Sequence, residues 1–162
     1  MKHDFRQEQA GDLIPDGWYE AVVVQCKTDV TRSGMERWRL KLEIASVLDS
    51  KQMEIALGKV GAQIEDVLID SDKDFWRKKV RGFMKSAFPE HEDAAKEAEE
   101  GYEAPELTGD DAIGRTVGVQ ISINDGNAEY DEPSKVNRCW RYKPIGVPAN
   151  KPNEPKSTDE IM

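Results

Sequence analysis

The chain has 162 residues, of which 38% are hydrophobic and 34% charged, with a formal net charge of −9 and a mean hydropathy of −0.72. That length supports one domain with its own core and hardly two, and the low apolar content points to ordered and disordered parts together. No apolar run approaches the ~18 residues of a membrane span, the N-terminal MKHDFRQEQAGD lacks the apolar core of a signal peptide, and Cys26, Cys139, His3 and His91 are too scattered for a zinc site.

Residues 1–12 read as a flexible N-terminus, and LIPDG at 13–17 as a turn. WYEAVVVQCKT, 18–28, is rich in β-branched and aromatic residues and predicts a first strand. TRSG at 31–34 is a polar turn. A second strand follows from about Glu36 to Val47. In it Trp38, Leu40, Leu42 and Ile44 alternate with Arg37, Arg39, Lys41 and Glu43, giving one apolar face and one largely cationic face. Trp38 shares the apolar face and is read as core. LGKVG marks a break, and AQIEDVLI, 62–69, predicts a third strand with incomplete alternation.

The period then changes. Trp76, Val80, Phe83, Met84 and Ala87 lie on one face of a helix, with Arg77, Lys78, Arg81 and Lys85 opposite. Ser71, Asp72 and Asp74 are expected to supply capping and N-terminal negative charge, Pro89 to limit the helix, and Gly82 to weaken it by about 1 kcal/mol. A second, acidic helix is expected from about Glu90 to Glu100. Residues 89–112 hold ten carboxylates and one cation, Lys96, which accounts for the entire net charge; the rest of the chain balances 22 cations with 22 anions. A cationic face is therefore compatible with an acidic total.

GRTVGVQISI, 114–123, predicts a fourth strand and VNRCWRYKPI, 136–145, a fifth. In the last, either Cys139 faces inward and Trp140 and Tyr142 outward beside Arg138, or the two aromatics face inward and Arg141 and Lys143 outward. Residues 147–162 hold three prolines among Asn, Lys and Ser and read as a disordered, acidic-tipped tail. Three strands, a helical segment and two strands is the element order of an OB-fold, a five-stranded Greek-key barrel. The expected class is thus mainly β, with one domain over 13–146 carrying an acidic insertion at 89–112.

LIPDGWYEAVVV, SGMERWRLKLEI, GRTVGVQISI and NRCWRYKP together resemble a family of small phage and prophage proteins proposed to bind single-stranded DNA. The resemblance covers roughly residues 10–145 apart from the acidic insertion, and departs from the family pattern at Cys139 and Trp140. It implies an OB-fold and sequence-nonspecific single-stranded-DNA binding in phage replication or recombination; separately, the two distant cysteines point to a reducing cytoplasm, that of the host if the protein is phage-encoded, no motif points to catalysis, a cofactor or a metal, and the expected form is a monomer or homodimer. On that reading Lys27, Arg32, Arg37, Arg39, Lys41 and Arg138 contact phosphates and Trp140 and Tyr142 stack on bases. Exposed cations also guard strands against aggregation, and pattern alone favours that plainer role for Arg37, Arg39 and Lys41; the resemblance reverses the choice. STDEIM is similar to the acidic tails of single-strand binders, so Asp159, Glu160, Ile161 and Met162 are expected to recruit a replication or recombination protein. Two rival readings are a protein-interaction module using the acidic segment, and a metal-dependent nuclease using Asp125, Glu129, Asp131 and Glu132.

Overall fold

The computed structural model describes residues 13–98 and 101–145. Strands β1 (Gly17–Val30), β2 (Glu36–Ser50), β3 (Gln63–Ile69), β4 (Thr116–Asp125) and β5 (Lys135–Lys143) form one antiparallel sheet in the order β3-β2-β1-β4-β5. Helix α1 (Met53–Leu57) joins β2 to β3. Helices α2 (Asp74–Ala87), α3 (Pro89–Glu97) and α4 (Gly109–Ala112) lie between β3 and β4. The mainly β, five-stranded architecture with helices between the third and fourth strands is the one expected. Residues 1–12 and 146–162, including the candidate partner-binding tip, lie outside the described residues.

Alternation sets the core. Trp38, Leu40, Leu42 and Ile44 of β2 are all buried, as are Val117, Val119 and Ile121 of β4. Tyr19, Ala21 and Val23 of β1 join them. A register shift between Val23 and Gln25 then changes the parity, so that Cys26 is the next buried residue. Phe83 of α2 packs edge-on against Trp38 of β2 (6.3 Å) and against Tyr142 of the edge strand β5 (5.0 Å), which ties the helix to two separate strands of the sheet. Truncating a fully buried residue here, such as Leu42→Ala, is expected to cost about 2–5 kcal/mol. Cys26 and Cys139 are both buried and unpaired, and burial pushes the Cys26 thiol up to about 11.

Two glycines are required by position. Gly34 closes the β1–β2 turn with a φ of 87°, its N–H donating to the Thr31 carbonyl. Gly82 does not interrupt α2. A Cβ there would stand 2.5 Å from the Tyr142 carbonyl oxygen, so the absent side chain lets the helix backbone approach β5. Ser86, one turn on, donates to the Lys143 carbonyl (2.7 Å) and accepts from the Gly118 N–H (3.0 Å). The expected negative charge is present, with Asp74 in the first turn of α2, but the expected cap is corrected: Lys73 is the N-cap and gives no side-chain bond, while the Ser71 hydroxyl accepts from the Lys73 N–H. Pro89 does end α2, and it serves as the first residue of α3, where a missing N–H costs nothing.

The two edge strands are linked through side chains. The side chain of Asp66, on β3, is only 9% exposed. Its carboxylate accepts from the Tyr142 hydroxyl of β5 (2.5 Å) and from the Lys79 ammonium of α2 (2.8 Å). Burial pushes the Asp66 carboxyl up, against the opposing pull of Lys79 and the hydrogen bonds it accepts. Phe75 and Trp76 lie 6.0 and 5.4 Å from the Lys79 nitrogen, so their rings shield the ammonium and also attract it. Charges placed this deep are tolerated only when paired and hydrogen-bonded.

Candidate nucleic-acid interface

Because Trp38, Leu40 and Leu42 point inward, their neighbours on β2 point out, and pairing brings β1 and β3 residues into line with them. Asp29, Arg37 and Ile69 form one row across the sheet; Lys27, Arg39 and Val67 the next; Gln25, Lys41 and Glu65 the third. Glu43 and Gln63 follow, joined by a 3.3 Å hydrogen bond. This face therefore carries four cations (Lys27, Arg37, Arg39, Lys41) and three carboxylates (Asp29, Glu43, Glu65), an excess of one positive charge. The cationic stripe read from β2 is real, but the flanking strands dilute it.

Asp29 is the strongest of those corrections. It accepts two bonds from Arg37, at 2.7 and 2.8 Å, and one from Arg39 at 3.1 Å. The Arg37 hydrogen bonds, with help from Arg39, hold its carboxyl at about 2. The Arg37 side chain is 25% exposed and that of Arg39 54%, so Arg39 retains the freer guanidinium. Lys27 is exposed and Lys41 partly so, and Arg32 is exposed in the turn at the end of the same hairpin. These five residues share one region, as expected, with Arg37 the most heavily engaged.

On β5 neither strict alternation holds. Arg141 lies opposite Gln120 and Cys139 opposite Ile121, so Trp140 is an extra residue in a bulge. Cys139 and Tyr142 both turn inward, while Trp140 and Arg141 both stay exposed. Tyr142 is thereby corrected from stacking candidate to core residue: it is 5% exposed, and its hydroxyl is committed to Asp66. Burial, reinforced by Asp66, drives that hydroxyl well above its ordinary pKa. Arg138 is held by Glu132 at 3.0 Å, so its charge is largely answered within the protein.

Trp140 is 38% exposed, and its indole N–H donates to the Ser122 hydroxyl (2.5 Å), which fixes the ring. Phe75 of α2, 47% exposed, meets it edge-on at 6.4 Å and meets Trp76 at 5.2 Å. An aromatic corner thus forms over the buried Lys79–Asp66–Tyr142 network. Sequence reasoning missed Phe75 and Lys79. Phe75 falls off the apolar stripe of α2, and a large aromatic outside a helix's core face was the available signal.

In the β4–β5 loop, Asp125 is paired with Lys135 and Glu132 with Arg138. Among the described residues, no group of three or more His, Cys, Asp or Glu side chains is placed to hold a metal ion. No described helix is long and apolar enough to cross a membrane. No family model and no curated protein matches the chain.

Proposed function

We propose that the chain is a single-stranded-DNA-binding protein of OB-fold type, acting in phage DNA replication or recombination by coating single strands without strong sequence preference. The strand order β3-β2-β1-β4-β5, with helices between β3 and β4, supports a Greek-key barrel. So does the Asp66–Tyr142 link between the two edge strands. The observation that carries the reading is the juxtaposition across that link. Asp66 and Tyr142 face each other from inside; their outward neighbours Val67 and Arg141 therefore border the same seam from outside. One outer surface then runs from Lys27, Arg39 and Lys41 over β3 to Arg141, Trp140 and Phe75.

Such a surface suits a flexible single strand. Lys27, Arg39, Lys41 and Arg141 neutralise phosphates, and Trp140 and Phe75 offer ring faces or edges to unstacked bases. A duplex keeps its bases stacked internally and gains only the phosphate contacts. No catalytic step is assigned to the site. The test is anisotropy of a labelled oligothymidylate against an equally long duplex over a salt series. The reading predicts tighter binding of the single strand at every salt concentration and weakening with salt for both. Equal affinity for the two forms, or no binding at low salt, would overturn it.

A further inference from the structure

Arg141 belongs to a row of residues that runs across the outside of the sheet. It pairs with Gln120 of β4, Gln120 with Trp18 of β1, and Trp18 with Asp49 of β2. Val119 and Tyr19 beside them are buried, so Gln120 and Trp18 point outward. The next row is Lys143, Gly118 and Glu20. Gly118 has no side chain, and the Lys143 stem passes 3.5 Å from where its Cβ would stand. The ammonium thereby comes to 4.1 Å from the centre of the Trp18 ring. This contact steadies Trp18 from the Glu20 side.

On the Asp16 side of Trp18 lies a depression of about 590 Å³, whose lining includes Trp18, Asp16, Asp49, Lys51, Gln52 and Gln120. Asp16 spends one carboxylate oxygen on the Ile123 N–H (2.7 Å). Gln52, just before α1, makes no side-chain capping bond. Asp49 is exposed, at the end of the row that begins with Arg141. The depression therefore offers a ring, two side-chain amides and a carboxylate. Those are the groups that hold a nucleobase by its face and by its hydrogen-bonding edge. Exposed cations stand on both sides, Arg141 beyond Gln120 and Lys51 two residues past Asp49, where the phosphates before and after that base would pass.

We infer that this depression takes one base of the bound single strand, stacked on Trp18, and that Asp49 selects a base carrying an exocyclic amine. The inference rests on the DNA-binding reading and carries the strand beyond Arg141, across β4 and onto β1. A carboxylate accepts from the cytosine N4 amine, whereas thymine presents the O4 acceptor and repels it. The selection acts at one position of the strand, so overall sequence preference stays weak.

The test is anisotropy of the full chain with labelled oligodeoxycytidylate and oligothymidylate of about 16 nucleotides, the upper footprint of one such domain. The parent should bind the cytosine strand more tightly. Asp49→Ala, at an exposed position, should lower the ratio of the two affinities by about fivefold or more. Trp18→Ala should weaken binding of the cytosine strand by about five- to 150-fold, the range of one base stacked on a ring, and Trp18→Phe should retain most of the parent's affinity. Free deoxycytidine monophosphate brings the same base without the neighbouring phosphates, and should not compete at about 1 mM. An unchanged ratio in Asp49→Ala, parent-like affinity in Trp18→Ala, or full competition by the mononucleotide overturns the inference. In each of those cases the parent still prefers single strands to duplex and the DNA-binding reading stands. A parent without that preference overturns both.

Discussion

The outward side of β2 and the outward bulge of β5 contribute opposite kinds of group, and they are supported in opposite ways. On β2 the stretch that carries the cations, Glu36 to Leu42, pairs without an extra residue on β2 and lies over an apolar core; the strength of the cations is set from the side by Asp29, which binds Arg37 twice and Arg39 once. On β5 the strand is irregular and Trp140 stands on a bulge beside Phe75; the seam beneath is set from inside by Asp66, Lys79 and Tyr142. On the proposed reading, the phosphate-binding face is weakened by one exposed carboxylate without touching the fold. The proposed stacking corner depends on a buried network that also links the sheet edges.

That difference is sharpest in stability. Lys79→Met should cost about 3–5 kcal/mol near neutral pH, because it leaves the buried Asp66 carboxylate without its cation. Burial already raises the Asp66 pKa, and removing Lys79 takes away an opposing influence. A carboxyl with a folded pKa above its unfolded one binds its proton more readily when folded, so the loss should shrink as pH falls toward and through that folded pKa. Urea unfolding at two pH values checks this. A loss below about 1 kcal/mol, or one that grows on acidification, would show that the network does not hold the seam.

Smaller effects should separate the two regions in binding. Trp140→Ala and Phe75→Ala should each cost about 1–3 kcal/mol of single-strand affinity while leaving the salt slope unchanged. An altered slope at full affinity would mean that these rings do not stack on bases. On β2 the contrast lies within the face. Arg39→Ala and Lys41→Ala should each lower the slope of log K against log salt by about 0.7, and Arg37→Ala by less, since Asp29 already occupies that guanidinium. Equal slopes for all three variants would show that Asp29 releases Arg37 to DNA.

The smallest effect is expected at Asp29 itself. Asp29→Asn should tighten single-strand binding and steepen its salt dependence. Its carboxyl is held at about 2, below the ordinary value near 3.8. The ion pair therefore contributes stability above about pH 4 that is lost as pH falls toward 2. Thermal unfolding of Asp29→Asn should lack that share of the acid loss. A variant with parent-like acid behaviour and parent-like binding would remove Asp29 from the account.

Much of the framework was legible because alternation and helical period report burial directly. The Trp38-to-Ile44 face and the α2 stripe followed from spacing; on β4 the alternation of Val117, Val119, Ile121 and Ile123 reports burial for the first three, while Ile123 is exposed. The rest depended on pairing. Asp29 gains meaning only once Arg37 lies opposite it, a matter of β1–β2 register. Tyr142 was open to either face, because a bulge defined against β4 turns both Cys139 and Tyr142 inward. Lys79 sits in the run RKKVR, where nothing local separates a buried ammonium from solvated ones. Helix α1 was missed because LGKVG reads as a turn and five residues are too few to show a period.

The claim that a single strand lies on the outer face of the sheet is tested most directly by the salt dependence of the Lys27→Ala, Arg39→Ala, Lys41→Ala triple variant. With parent-like circular dichroism, its log K against log salt for oligothymidylate should be shallower than the parent's by about 2, three phosphate contacts at about 0.7 each. An intact variant that binds with the parent's slope would contradict the account and place the DNA elsewhere on the molecule.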